Sequence, residues 1–420
     1  MQLGPQQTAI LTIVDDDRPP PRSGLDASFD GDGKAALEGF GGDRSGMAVQ
    51  SDGKVIMVGG TFSDWLMARF NADGTIDKTF GDEGTVRTNM VPNKQEESLA
   101  VTIQPDNKIV VAGYSGLVIA LARFNADGSP DDTFDGDGKV ISGVLGRAFA
   151  VAIDGNDRIV VAGDVLKSNP TDPSDFVVAR FNSNGSFDPT FGSTLGFTTT
   201  DIGKLANEAH GLKVLADDSV LVSGFAPIIV SSVNGGPVTQ STPQGAVVRY
   251  LSNGSIDPAF GVVALPGDNV GRGMAVQSDG KIVLAGSIDV ATFPATDKRF
   301  ALMRLNANGT VDETFGTRGR VQTSITTRGD AALGVALQAD GKIVAAGVGS
   351  EQLNSNFAVA RYDRDGNLDT SFNQDGKLTI DFFGFTDVAE NIVIQSNGKI
   401  VVGGLALHNF DGYGVARILP

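Results

Sequence analysis

The 420-residue sequence predicts an all-β fold, because a three-part motif recurs along it and each copy is rich in short strand-forming segments. One part places an aspartate three residues before a phenylalanine, at Phe29, Phe80, Phe134, Phe191, Phe260, Phe315 and Phe372. Another is a turn such as "QSDGK" followed by an apolar segment. The last is an arginine after a small or apolar residue, at Arg69, Arg123, Arg180, Arg249, Arg304, Arg361 and Arg417. The three parts each occur seven times, with a period of about 50 to 70 residues.

Each repeat contains four strand-like segments. After the phenylalanine comes a short polar segment such as "GTVRT", followed by apolar segments such as "LAVTI", "KIVVAG" and "FALMRL". Asp-Gly or a close relative joins the second segment to the third, which is a strong signal for an antiparallel hairpin. Because the last three segments are apolar with little alternation, we expect them to be covered on both faces, with the polar strand outermost.

Seven four-stranded antiparallel sheets arranged radially would bury one another's faces and leave only short edges. The sequence therefore predicts a seven-bladed β-propeller. An open β-solenoid and a string of small β-domains are the competing interpretations. Solenoid coils of roughly 20 to 30 residues are shorter than this repeat, and an isolated four-stranded sheet could not bury two apolar faces.

The phase of the repeat predicts that the ring is closed by its two ends. The first repeat contributes one polar strand, "GKAAL" at Gly33 to Leu37, and the chain ends after three apolar strands, the last of them "YGVARI". Together these pieces make one complete blade. We therefore expect the N-terminal strand to pair with the C-terminal blade, because an open array would instead need polar capping faces.

Two resemblances follow from these motifs. The segments "LDTSFNQDGKLTI", "AVQSDGKIVLAG" and "FAVARYDRDGNLD" resemble the delta-60 repeats of large bacterial proteins, a family thought to form propellers, over residues 25–420. At the N-terminus, "TAILTIVDDD" resembles the last strand of a Calx-beta domain. These resemblances imply three parts: a truncated Calx-beta-like tail at 1–17, a Pro-rich linker at 18–24 and the propeller at 25–420, within a longer multidomain protein.

Composition excludes several classes of function. An excess of 50 acidic over 33 basic residues gives a formal charge of −17, so we expect no nucleic-acid partner. The sequence has no cysteine, which removes disulfides and thiolate chemistry. No apolar run approaches the length of a membrane span, and the N-terminus lacks an export signal, so we expect no membrane insertion.

The segment "RFNADGTIDKTFG" is spaced like the calcium loop D-x-D-x-D-G-x-x-D of integrin-type propellers. Alignment on Gly74 and Asp77, however, puts Arg69 at the first ligand position, and five further copies repeat this arrangement. Because a guanidinium repels a divalent cation and matches a carboxylate, we predict an ion pair instead of a metal. The further pairs are Arg123 with Asp131, Arg180 with Asp188, Arg249 with Asp257, Arg304 with Asp312, and Arg361 with Asp369.

A second set of carboxylates lies in the turn after the phenylalanine, at Asp30 and Asp32, at Asp135 and Asp137, and at Asp375. Hard oxygen ligands could bind calcium there. The other copies read "GDEGT", "GSTLG", "GVVAL" and "GTRGR", so the repeat does not require these carboxylates. We interpret them as turn residues and predict no metal site.

The sequence offers no catalytic or cofactor-binding constellation. His210 and His408 lie in unrelated contexts, and we interpret both as structural or surface residues. One tryptophan, Trp65, and four tyrosines argue against a sugar-stacking cleft or a quinone held between aromatic planes. No glycine-rich turn opens a helix, so no nucleotide site is visible. We therefore predict neither catalytic residues nor a cofactor.

The two ends of the predicted ring differ. The joins "QSDGK" and "RFNADGTIDKTFG" are nearly constant and belong to one face, whereas the opposite face carries individual loops, the longest at Phe225 to Gln244. Individual loops on a rigid frame predict a non-enzymatic binding or adhesion scaffold of a bacterial secreted or cell-surface protein, extracellular and monomeric as a fragment, with a protein or glycan ligand on the variable face. The alternative is a carboxylate-based polysaccharide hydrolase or lyase, which a deep central pocket lined by two or more carboxylates and an arginine would favour.

Overall fold

A computed structural model of the chain describes residues 24–420 except 40–41, 43, 62, 168–172, 194, 203–205, 227, 231–239, 243, 266–268, 293–294, 352–353 and 409–410. The predicted Calx-beta-like tail at 1–17 and nearly all of the linker at 18–24 lie outside the described residues. The described part of the chain is built from β-strands joined by turns, as the composition and the repeated hairpin signals predict.

The described residues form 29 strands. In chain order the first fourteen are β1 Lys34–Leu37, β2 Gly46–Val49, β3 Val55–Thr61, β4 Asp64–Phe70, β5 Thr85–Thr88, β6 Glu96–Ile103, β7 Ile109–Ser115, β8 Val118–Phe124, β9 Lys139–Ile153, β10 Ile159–Val165, β11 Asp175–Phe181, β12 Phe197–Thr200, β13 Glu208–Val214 and β14 Val220–Phe225. The remaining fifteen are β15 Ile228–Val230, β16 Gln240–Thr242, β17 Gly245–Tyr250, β18 Val262–Leu265, β19 Asn269–Val276, β20 Ile282–Thr292, β21 Ala295–Leu305, β22 Arg320–Thr323, β23 Asp330–Leu337, β24 Ile343–Ser350, β25 Ser355–Tyr362, β26 Lys377–Ile380, β27 Asp387–Ile394, β28 Ile400–His408 and β29 Asp411–Ile418.

The prediction of seven separate four-stranded blades is wrong. The strand order in the described residues gives five four-stranded sheets, one seven-stranded sheet and a small hairpin of β15 with β16. The seven-stranded sheet arises because β9 is continuous over 15 residues: its first part pairs with β8 and its last part with β10. Elsewhere a loop separates an outer strand from the next inner strand, but "KVISGVLGRAFAVAI" passes from one pairing to the other through a register shift at residues 142–144 and through Gly146 at φ +146°.

Within each four-stranded sheet the order follows the sequence prediction, with the polar segment at the outer edge. In the sheet β2-β3-β4-β5, for example, the edge strand β5 is the polar "TVRT". The first strands β2, β6, β13, β19, β23 and β27, together with the last part of β9, surround a central channel. Because neighbours are antiparallel, each inner strand starts at the face with individual loops (the variable face) and ends at the hairpin on the opposite face (the constant face).

The predicted pairing of the two chain ends is present. Strand β1 pairs antiparallel with β29, from Lys34 opposite Ala416 to Leu37 opposite Tyr413. The resulting sheet, in the order β1-β29-β28-β27, combines the first strand with the last three. The closure is therefore made by a ladder between segments at opposite ends of the described chain.

The core lies between adjacent sheets. One hydrophobic cluster, for example, joins Ile56 and Val58 of β3 to Ile109 and Val111 of β7, with Phe80 between them. The repeated phenylalanines are buried in such interfaces, and Phe80, Phe134, Phe191 and Phe315 have no exposed surface. The anchor phenylalanine of the motif is thus a core residue that holds neighbouring sheets together.

Candidate binding site in the central channel

The structure confirms the predicted ion pairs in the repeat loop. The arginine Nε to aspartate Oδ2 distance is 2.6 to 2.8 Å for Arg69 with Asp77, Arg123 with Asp131, Arg180 with Asp188, Arg304 with Asp312, and Arg361 with Asp369. A further pair, which sequence reasoning did not assign, joins Arg417 to Asp26 at 2.6 Å across the closure of the ring. The cation at the first position of the calcium-like loop therefore binds the carboxylate.

Each of these pairs is part of a repeated structural unit, as Arg304 illustrates. The guanidinium lies 4.5 Å from the ring centroid of Phe315, and its Nη1 donates to the backbone oxygen of Arg364 in the next repeat. Burial opposes ionisation of Asp312, but hydrogen bonds from Thr314 and Lys281 outweigh it and hold the pKa of the carboxyl below its usual range. The unit joins neighbouring repeats on the constant face, which is a structural role.

Arg249 departs from this unit. Its Nε lies 3.4 Å from Asp257 Oδ2 and makes no hydrogen bond in the described residues, while Nη2 donates to Asp217 at 3.0 Å. The Arg249 side chain is 24% exposed, compared with 5% for that of Arg304. Arg249 and Asp257 thus keep the spacing of eight residues found in the other pairs, but they do not form the close contact.

The turn carboxylates have the structural role that the sequence predicts. Oδ1 of Asp32 accepts a hydrogen bond from the backbone N–H of Lys34 at 2.8 Å, and Asp137 and Asp375 accept from the N–H two residues further on in the same way. Asp30 and Asp135 adopt positive φ angles of 50° and 52° in the same turns. Among the described residues, no group of three histidines or carboxylates is placed to hold a metal ion.

The channel contains a feature that sequence reasoning missed. In six described inner strands the register skips residues close to the start of the strand, which is a β-bulge. Bulges re-aim side chains and are common beside functional sites. The skipped position, and its equivalent before β2, lines a cavity of about 270 Å³. We call these residues the bulge ring: Ser45, Leu99, Phe149, His210, Arg272, Leu333 and Glu390.

The bulge ring differs from one repeat to the next, while its surroundings repeat. The residue that follows each position is small in six of seven cases, for example Gly46, Gly211, Gly273 and Gly334. A Cβ at Gly273 would lie 2.9 Å from the Cα of Gly334, so the close approach of inner strands requires glycine there. The signal in the sequence is a variable residue five positions before the anchor of the "QSDGK" turn, followed by a small one.

His210 is held in a polar network at the variable-face end of the channel. Arg44 Nη1 lies 2.9 Å from His210 Nδ1, and His210 Nε2 lies 3.1 Å from Glu208 Oε2. Because a guanidinium can only donate, Nδ1 accepts and Nε2 carries the proton that is donated to Glu208. Burial, together with the charges of Arg44 and Arg272, lowers the pKa of His210 to about 4, so its imidazole is neutral at pH 7.

Two neighbours complete this network. Arg147 Nη2 binds Asp164 Oδ2 at 2.5 Å and Glu208 Oε1 at 3.5 Å. The guanidinium carbons of Arg44 and Arg147 lie 4.7 and 4.9 Å from the ring centroid of Phe149. The hydrogen bond from His210, with the charges of Arg44 and Arg147, lowers the pKa of Glu208 to about 2. Glu208 is therefore a fixed anion rather than an acid.

Glu390 is the carboxylate that lines the cavity. Its Oε2 accepts from the backbone N–H of Ser45 at 2.7 Å and from Ser45 Oγ at 2.9 Å. Burial raises the pKa of Glu390 above its ordinary value despite the positive charge of Arg272. The cavity lining thus contains polar and apolar side chains. The polar ones include Glu390, Arg44, Arg272 and His210, and the apolar ones include Leu99, Phe149 and Leu333.

The structure thus places the two histidines differently from one another. His210 is in the channel network rather than in an isolated structural position, whereas the side chain of His408 lies outside the described residues. Trp65 is a core residue, 2% exposed. The described residues contain no helix with the length and hydrophobicity of a membrane span.

Comparison with known families supports a propeller repeat. A family described as a domain of unknown function (DUF5122) beta-propeller matches six segments of the chain, at residues 50–80, 104–134, 155–191, 235–260, 277–315 and 338–372. Each segment runs from a hairpin turn to the next anchor phenylalanine or covers part of that stretch. No curated protein sequence matches the chain significantly.

Comparison with solved structures finds similarity in fold at low sequence identity. An ulvan lyase of polysaccharide lyase family PL25, bound to -[GlcA(1-4)Rha3S]-, has a TM-score of 0.50 at 11% identity, over 90% of this chain and 94% of that chain. The complex of Drosophila Plexin A with Semaphorin 1b gives 0.48 at 8% identity, over 91% and 86%. The Dos1 propeller gives 0.48 at 9% identity, over 91% and 90%. At such identities the likeness concerns the fold alone.

Proposed function

We propose that this chain is a binding module whose ligand enters the central channel from the variable face. The bulge ring carries the proposal. In a structure built from repeats, framework positions repeat, and a ring that reads Ser, Leu, Phe, His, Arg, Leu and Glu has no structural reason to differ at every step. Function in repeat folds is carried by such grafted positions on a common frame.

The chemistry of the cavity suits a small ligand with a polar and an apolar side. Its volume of about 270 Å³ is just below the roughly 300 to 1,000 Å³ of drug-sized ligand sites. The lining surface is more polar than apolar, with Leu99 and Leu333 beside Arg44, Arg272 and Glu390, so it offers several fixed polar groups and a smaller apolar contact. His210 has both ring nitrogens engaged, so it is a positioning residue and not a free base.

The wider context is a proposal from the sequence alone. We propose that the module belongs to a larger bacterial secreted or cell-surface protein, acts outside the cell in adhesion or capture, and is a member of the delta-60 repeat family following a Calx-beta domain. The differences in length and sequence among the variable-face loops support a protein-borne or glycan-borne ligand. None of these points bears on the channel test below.

The test blocks the cavity without changing its charge. Leu333→Trp adds an indole to the channel, and Leu117→Trp, at a position 67% exposed, is the matched control. A library of small sugars, amino acids and organic acids is screened by thermal shift, since a ligand that binds only the folded state raises the melting temperature. We expect at least one compound to stabilise the wild type and the Leu117→Trp variant but not Leu333→Trp. Equal stabilisation of all three proteins would refute the channel site.

A second candidate is a polysaccharide-cleaving enzyme, and Glu390 is the observation that favours it. A partly buried carboxyl with a raised pKa keeps its proton to a higher pH than a free carboxyl, and can therefore act as a proton donor. Among the described residues that line the cavity, Glu390 is the one carboxylate, whereas hydrolysis or elimination by two carboxylates would need a second at the same place. Incubation with uronate-containing polysaccharides distinguishes the two candidates: new chain ends formed by the wild type and absent with Glu390→Gln would establish the enzyme.

A further inference from the structure

Three arginines lie at the variable-face end of the channel, and they differ in their partners. Arg147 binds Asp164 and Glu208, and Arg44 contacts His210 and lies 3.9 Å from Glu208. Arg272 makes no hydrogen bond and no ion pair within the described part of the chain, although it lines the cavity. Its guanidinium presents five donors that the protein itself does not satisfy.

The backbone at Arg272 is built to aim this side chain. In β19 the register skips two residues, Gly271 and Arg272, whereas the other bulged inner strands skip one at the equivalent place. Gly271 has φ +127°, and a Cβ there would lie 2.7 Å from the backbone oxygen of Gly224. A bulge of two residues changes the direction of the Arg272 side chain, and its backbone conformation depends on glycine at position 271.

The positive charge of Arg272 is attracted by Glu390, but its guanidinium makes no hydrogen bond within the described residues, so its donors are available to a ligand. A ligand that brings an anion would supply the missing acceptor. We infer that Arg272 is the anchor for the carboxylate of a ligand in the channel; this inference rests on the proposed binding function and names its ligand class. A carboxylate matches the guanidinium fork with two parallel hydrogen bonds.

The neighbouring charges select a monoanion. The fixed anion Glu208 lies in the same region, beside Arg44 and Arg147, so a phosphate dianion would meet more repulsion from it than a carboxylate would. The volume of about 270 Å³ limits the body of the ligand to roughly one six-membered ring. Leu333 and Phe149 offer apolar contact to that body. The ligand is a compact ring-sized monocarboxylate, free or at the end of a chain.

The experiment compares acids with their neutral partners. Glucuronate is paired with glucose and benzoate with benzamide, and an oligosaccharide that ends in glucuronate tests the chain-end source. Binding to the full chain is measured by calorimetry at low salt. We expect at least one acid to bind ten times more tightly than its neutral partner, with inorganic phosphate weaker than that acid. Equal affinity for acid and neutral partner would overturn the assignment, as would the absence of binding by every acid.

The variants separate this inference from the function it rests on. Arg272→Gln should lower the affinity for the acid about tenfold or more, because a charge-assisted hydrogen bond is lost. The affinity of Arg272→Lys for the acid should lie between those of the wild type and Arg272→Gln, since lysine keeps the positive charge but lacks the planar guanidinium. Arg318→Gln changes an exposed arginine in the turn after Phe315, on the constant face; it is the matched control and should bind as the wild type does. If Arg272→Gln binds the acid as tightly as the wild type while Leu333→Trp loses binding, the role of Arg272 is refuted and the channel site is retained. If neither variant changes the affinity, both proposals are refuted.

Discussion

Arg304 and Arg249 occupy the same position in two repeats, but their surroundings differ. The Arg304 Nε to Asp312 Oδ2 distance is 2.7 Å, and the two side chains are 5% and 6% exposed. The Arg249 Nε to Asp257 Oδ2 distance is 3.4 Å, and the side chains are 24% and 11% exposed. Both pairs join residues eight apart in the sequence, so spacing alone does not produce the tight contact.

The difference traces to two neighbouring positions. Asp312 accepts from Thr314 Oγ1 at 2.6 Å and binds Lys281 Nζ at 3.0 Å. The equivalent positions of the Arg249 repeat are Ala259 and Ser219, so Asp257 has neither the hydroxyl nor the lysine. Arg249 binds Asp217 instead, at 3.0 Å. The comparison teaches that hydrogen-bond donors around the carboxylate, rather than the arginine alone, hold this loop in place.

The largest expected effect comes from removing a whole pair together with its strand. Deletion of residues 1 to 38 removes β1, Asp26 and Phe29, which exposes the ladder edge of β29 and breaks the bond between Asp26 and Arg417. We expect a melting temperature lower by many degrees. Deletion of residues 1 to 20 is the control and should change it little, because the closure contacts begin at Gly24. Equal melting of both truncations would contradict the closure.

Loss of the tight pair should be nearly as harmful. Arg304→Met leaves buried Asp312 with Lys281 as its cationic partner, so we expect a cost of at most about 3 to 5 kcal/mol in the free energy of unfolding. Arg304→Met with Asp312→Asn should recover part of this loss, since the weakly compensated charge is removed with the pair. Denaturant unfolding followed by two probes gives the coupling energy. Zero coupling would mean that the pair does not stabilise the loop.

Removing the loose pair should have a much smaller effect. Arg249→Met breaks an interaction between partly exposed groups that are already far apart, so we expect less than about 1 kcal/mol. The measurement is the same unfolding experiment under the same conditions. A cost equal to that of Arg304→Met would show that the difference in geometry between the two repeats has no energetic meaning.

The loose pair can also be rebuilt. Ala259→Thr and Ser219→Lys restore the hydroxyl and the lysine of the Arg304 repeat, and together they should raise the free energy of unfolding by about 1 kcal/mol. A larger cost of Arg249→Met in this background than in the wild type would show that the arginine has been drawn into the pair. Stability unchanged by both substitutions would assign the loosening to another cause.

The smallest effect concerns acid. Because the folded-state pKa of Asp312 lies below its unfolded value, its contribution is present above the unfolded pKa and is lost as pH falls through the folded one. The effect of His210 has the same sign, since its folded-state pKa is lowered to about 4. Between pH 6.5 and 4 the unfolded chain binds a proton at this histidine and the folded chain does not, so the free energy of unfolding decreases as the pH is lowered. We expect His210→Gln to flatten the stability profile between pH 6.5 and 5. If the slope of unfolding free energy against pH is the same in this variant as in the wild type, a group other than His210 is responsible for it.

The ring of channel residues could not be predicted from the pattern that revealed the repeats. Local signals identified what acts locally: hairpin turns, anchor phenylalanines and arginine-aspartate pairs eight residues apart, of which Arg249 is the exception. The residues Phe149, His210 and Arg272 are about 60 residues apart along the chain and show no shared chemistry. Sequence reasoning therefore interpreted His210 as an isolated residue.

The sequence by itself determined the strand order within a repeat, the polar outer strand, the pairing of the two ends and the ion pairs, because each depends on residues within one repeat or on the phase of the repeats. Only the tertiary structure decided that β9 joins two repeats into one sheet, that Arg417 binds Asp26, and that Arg44, His210 and Glu390 meet in one cavity. The physical reason is that these contacts form when the ring closes: closure brings distant inner strands around one axis, and a bulge turns one side chain from each toward it.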